Sequence, residues 1–167
     1  MNMVFRNWRI LLALLALLLA AGCATQLAPA YDKAIVDGLR SSNREAMILF
    51  ATLSAESESK SYPARAATYN QLIGTLDALE MQSRARPMPK GPGHEAANKL
   101  LEKRGLPVVG DDEAPSATAL NRMSATLSKM RDTDRKQGLS PTEVQAFKGQ
   151  MSIYMDQAMT YEAFLQR

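Results

Sequence analysis

An all-α bundle is the fold class this sequence predicts, on three observations. Apolar residues recur three and four apart along several long stretches; prolines, glycines and capping residues fall between those stretches; and no segment alternates apolar and polar residues over a useful length. The expectation is about four long helices plus one short helix, preceded by an N-terminal signal peptide.

The chain opens with Arg6 and Arg9 as its only early charges, and no acidic residue precedes Asp32. Residues 10–21 form an unbroken apolar run, which as a helix spans roughly 18 Å. A bilayer core is about 30 Å thick, so the run is too short to cross it and reads as the apolar core of a secretory signal over residues 1–22. Residues 23–30 are uncharged and contain Pro29, as suits a short tether, and residues 31–167 form the folded domain.

Within the domain, Ile35, Leu39, Ser42, Ala46, Phe50 and Leu53 place one stripe on a first helix expected over residues 31–59, with Gly38 as its local cost. Pro63 opens a second helix, striped by Tyr62, Ala66, Tyr69, Leu72, Ile73, Leu76 and Leu79 and ending near Arg84. Three prolines make residues 86–93 an extended basic loop. A short helix over residues 95–104 closes at Gly105, and the acidic run Asp111, Asp112, Glu113 suits the N-terminus of the next helix. That helix, from about Pro115 to Gln137, carries Leu120, Met123, Leu127 and Met130 on one face and stops at Gly138. Ser140, Pro141 and Glu143 then spell a capping box, with Leu139 and Val144 placed as a hydrophobic staple. The last helix follows with Val144, Phe147, Met151, Tyr154, Ala158, Tyr161 and Leu165 in unbroken register; such a stripe needs a partner helix, in the bundle or on a second copy of the chain.

The end of the apolar run, Leu19, Ala20, Ala21, Gly22 and Cys23, resembles the lipobox of bacterial lipoproteins, with Ala20 where the family usually has Leu. The resemblance covers about 25 residues and implies cleavage between Gly22 and Cys23, acylation of Cys23, and anchoring through several acyl chains, at about 0.8 kcal/mol per buried CH₂. Ala24 rather than Asp after the cysteine implies sorting to the outer membrane, with the domain facing the periplasm. The covalent lipid on Cys23 is the only non-protein group expected, with no cofactor and no metal.

Without Arg6 and Arg9 the 20 basic residues fall to 18 against 17 acidic ones, so the pI of about 9.1 overstates the charge of the mature chain. Near-neutral balance and export argue against a nucleic-acid partner. Residues that carry catalysis are scarce. His94 is the only histidine and Cys23 the only cysteine, so His94 reads as a capping or solvent-facing residue. Ser57 and Lys60 match the S-x-x-K pattern of penicillin-binding enzymes, but no S-D-N or K-T-G accompanies them. Glu45, Glu56 and Asp77 are the acids that an enzyme acting on the envelope would need to bring together.

Two non-enzymatic readings remain. In the first, the domain is a lipid-tethered scaffold or pilot for another envelope protein, with Arg86, Met88 and Lys90 of the proline loop and Met155 and Met159 of the last helix as its partner surface. In the second it carries a small apolar ligand or Cu(I) among Met123, Met130, Met151 and Met155, thioethers being soft ligands.

Overall fold

The computed structural model describes residues 29–53, 57–87, 92–108 and 114–166, with backbone alone at 92–94. Among the described residues five helices form: α1 (Lys33–Thr52), α2 (Pro63–Arg84), α3 (Pro92–Lys103), α4 (Pro115–Gln137) and α5 (Pro141–Leu165), with a 3-10 turn, Ser59–Ser61, before α2. The all-helical bundle expected from the apolar spacing is what the chain adopts.

Four helices close a ring in which α1 packs on α2, α2 on α4, α4 on α5 and α5 back on α1. Side-chain contacts fix their directions. Asp32, at the start of α1, accepts from Gln82 near the end of α2 at 2.7 Å, and Ser83 of α2 meets Ser116 of α4 at 2.7 Å. Neighbours therefore run antiparallel, up-down-up-down, as short connections favour. α3 packs on α5 alone among the described helices, beside the end of the bundle where the chain enters.

The predicted stripes face inward. Ile35, Leu39, Ser42, Ala46, Phe50 and Leu53 are all buried, as are Leu120, Met123, Leu127 and Met130. A second, smaller cluster of Ala97, Ala114, Ala117, Tyr161 and Leu165, with Tyr31 and Phe164 packed against it, joins α3 to the chain entrance. Gly38, a cost in sequence terms, lies where α1 presses on α2: a Cβ there would stand 2.5 Å from Leu79 Cδ2.

Caps account for the helix ends. Asp32 accepts from Ala34 N at 2.8 Å. At α5 the capping box is complete: Ser140 N donates to Glu143 and Glu143 N donates to Ser140 Oγ, and the bonds that Ser140 N and Oγ donate to the Glu143 carboxyl hold it below its ordinary value. α3 ends in a Schellman motif, with Gly105 N bonded to Glu102 O and Leu106 N to Leu101 O.

Two boundaries differ from the sequence expectation. The first helix stops at Thr52 rather than Ser59, because the stripe runs out at Leu53 and the backbone is claimed elsewhere: Ser57 pairs with Leu139 as an isolated antiparallel bridge, at 3.0 and 3.2 Å. The short helix begins at Pro92, so residues 92 and 93 are helical rather than loop. Proline at a first helical position sacrifices only a donor that has no partner in the helix.

The bridge explains Gly138. Its φ of 81° and ψ of −175° belong to a region that is essentially glycine's own, and a Cβ would stand 2.0 Å from the Ser57 carbonyl oxygen. Gly138→Ala is expected to lower the unfolding free energy by about 3 kcal/mol. Gly149→Ala, at an exposed position of α5 where a Cβ meets nothing within 4 Å, is expected to raise it by roughly 0.5–1 kcal/mol. Urea denaturation of both variants checks the pair.

Candidate functional site

Each end of the bundle is closed by a buried arginine–carboxylate pair. At the far end from the chain entrance, Asp134 of α4 is fully buried and Arg65 of α2 nearly so. Arg65 donates through Nε and Nη2 to the two carboxylate oxygens, both at 2.8 Å, the bidentate geometry a guanidinium favours. Ser57 Oγ adds a bond at 3.0 Å and Tyr69 OH one at 3.2 Å, so the carboxylate is surrounded by donors.

At the entrance end, Glu162 of α5 is fully buried and Arg86, just past α2, is 9% exposed. Arg86 Nη1 and Nη2 reach the two Glu162 oxygens at 3.0 and 2.6 Å, and Nη2 also contacts Ser116 Oγ at 2.9 Å and Ser83 Oγ at 3.1 Å. The Ala30 carbonyl lies 3.5 Å from Nη1. One guanidinium thus gathers the ends of α2 and α5, the start of α4 and the incoming chain. Its Nε is buried without a hydrogen-bond partner among the described residues.

These placements correct part of the expected partner surface. Arg86 is consumed inside the fold, because the buried Glu162 carboxylate needs a charge partner. Met155 is 6% exposed and belongs to the main core, and Met159 is half-buried against the same core. The reason lies in α5, which contacts α1, α3 and α4 and so buries a wider face than a single stripe. Met88 and Lys90 lie outside the described residues, as do Gly22, Cys23 and Glu56.

The remaining reactive groups are dispersed into local bonds. Ser57 Oγ serves Asp134 and accepts from Leu139 N, while Lys60 pairs with Glu58 in solvent. Glu45 accepts from Ser41, and Asp77 accepts from Ser124. His94 sits in the first turn of α3. Among the described residues, no group of three or more His, Cys, Asp or Glu side chains is placed to hold a metal ion, and no helix is long and apolar enough to cross a membrane.

Beside the entrance end lies a half-open groove of about 700 Å³, lined by Ala96, Lys99, Leu100, Glu102 and Lys103 of α3 and by Phe164 of α5. Sequence reasoning missed both the ion pairs and this groove. For the pairs a signal existed: Asp134 falls four residues after Met130, and Glu162 four after Ala158 and three before Leu165, each a charge on an apolar stripe. For the groove there was none, since it depends on where α3 settles.

The fold and its sites define a class, an up-and-down four-helix bundle with a short helix on one flank. Compared with protein-family models, with curated proteins and with solved structures, the chain matches none of them.

Two measurements check the ion-pair account. Asp134→Asn removes the charge opposite buried Arg65 and is expected to cost about 3 kcal/mol in denaturant unfolding. Tyr69 and Tyr161 stand beside the two pairs, and burial raises both phenols, Tyr161 to about 12, with the Glu162 charge raising it further and Arg86 opposing. A raised phenol favours the fold while the unfolded chain holds its proton, and this contribution is lost as pH climbs through the folded value. In a spectrophotometric titration, two of the five tyrosines are expected to ionise only above about pH 12 or with alkaline unfolding.

Proposed function

We propose that the protein is a membrane-anchored envelope lipoprotein whose helical domain serves as a non-enzymatic interaction module, a scaffold or pilot for another envelope protein. The observation that carries this reading is the chain entrance. The Ala30 carbonyl lies against Arg86 and Tyr31 packs on the small apolar cluster, so only a few residues separate Cys23 from the fold. A domain held this way stays within a short distance of a bilayer. Support also comes from Glu45, Ser57, Lys60 and Asp77, each committed to a local bond.

The partner surface differs from that expected in sequence. With Arg86 and Met155 inside, the large apolar residues exposed among the described residues are Ile48, Met81, Val108 and Ile153. Ile48 on α1 and Ile153 on α5 lie on helices that pack together, and a second copy of the chain or another envelope protein would engage them there.

Carriage of a small apolar ligand or of Cu(I) is the second reading, favoured by one observation: Met123, Met130, Met151 and Met155 share a single buried cluster. Close-packed methionine is also ordinary core filling, which is why interaction ranks first.

In the source cells, a palmitate analogue is expected to label the wild-type chain, whose intact mass should match an N-terminus at an acylated Cys23. Cys23→Ser is expected to lose the label and any crosslinked envelope partner together. A wild-type chain without acyl groups would remove the anchor, and stoichiometric copper in the purified protein would move the reading to carriage.

A further inference from the structure

The groove beside α3 is not used by either ion pair and sits where the tether joins the fold. α3 buries Ala97 and Leu101, turns Ala96 and Leu100 toward the groove, and carries Lys99 and Lys103 one turn apart on its exposed side. Phe164 of α5 lines the opposite wall. Among the described residues, neither lysine has an ion-pair partner.

We propose that this groove rests on the membrane and takes an acyl chain of an anionic phospholipid against Ala96, Leu100 and Phe164, with its phosphate between Lys99 and Lys103. The inference rests on the anchor proposed above, and three observations support it. Residues 23–30 reach at most about 28 Å when fully extended, so the entrance end cannot move far from the bilayer. Tyr31, where the tether ends, packs on the same small cluster as Phe164 and Ala97, which places the groove on that end. An apolar strip flanked by lysines matches an interfacial helix, whose aliphatic stems lie along the apolar surface while the ammonium groups meet headgroups. Glu102 leaves the lining at a net +1, so apolar contact carries part of the binding and the lysines supply the preference for negative lipid.

The test uses the fact that Trp8 is the only tryptophan in the sequence. A Trp8→Phe/Phe164→Trp chain carries one indole, in the groove, and Leu100→Trp in the same Trp8→Phe background gives a second reporter should position 164 perturb the fold. The full chain, purified from membranes, is reconstituted into vesicles of phosphatidylcholine with increasing fractions of phosphatidylglycerol bearing brominated acyl chains. Emission is expected to fall as brominated phosphatidylglycerol is added. With Lys99→Gln and Lys103→Gln together, the lipid required should rise roughly thirty-fold, at about five-fold per lysine, and quenching should vanish from the accessible range.

Quenching that ignores the lysines, or that is equal with brominated phosphatidylcholine, overturns the proposal. So does an indole already shielded from aqueous iodide without vesicles, which would mean that protein covers the groove. Intact mass of the same sample keeps the two readings apart. Acyl groups without quenching leave the anchor and remove the groove; lysine-dependent quenching without acyl groups does the reverse.

Discussion

A single guanidinium at the entrance end sets the geometry on which the rest of the structure depends. Arg86 and Glu162 are both withdrawn from water, and two such charges cost several kcal/mol each to desolvate, so only close and complete pairing makes the arrangement tolerable. The pairing joins the end of α2 to the end of α5, with the Ser83 and Ser116 hydroxyls also accepting from Arg86 Nη2, and so specifies which helix ends meet. Arg65 and Asp134 do the same between α2 and α4 at the other end. Between them the core is apolar and rich in leucine and methionine, side chains that pack well but discriminate weakly between neighbouring registers. Register comes from the ends and bulk burial from the middle.

This division explains what the sequence could and could not disclose. Stripe residues, the proline helix starts, the α5 capping box and the stops at Gly105 and Gly138 are local patterns, and all of them stand as read. Arg86 and Met155 were misplaced because each was assigned from its own neighbourhood. A basic residue beside prolines looks solvated until the acid on α5 is brought against it. Met155 looks peripheral until α5 is seen to touch three other helices. The early stop of α1 is likewise non-local, since the bridge joins Ser57 to Leu139 across the fold. Asp134 and Glu162 were legible in principle, because a lone acid on an apolar stripe has to be paired with something.

Functionally, the same end of the molecule carries the weight of the proposals. There the tether enters, Arg86 fixes it, α3 is attached by one face, and lysines flank an apolar groove. A lipid at Cys23 would confine this end near a bilayer. Ile48 of α1 and Ile153 of α5 are among the large apolar side chains exposed on the described residues.

The most direct test of this account is a double-mutant cycle on Arg86 and Glu162, using Arg86→Met, Glu162→Gln and the two combined, with unfolding free energies from urea denaturation. If the pair fixes the bundle end, each single change costs about 3 kcal/mol or more, and the double variant recovers a large part of the loss, for a coupling of roughly 2 kcal/mol. Losses that simply add, within about 0.5 kcal/mol, would show that the two residues do not act as one clamp and would contradict the account.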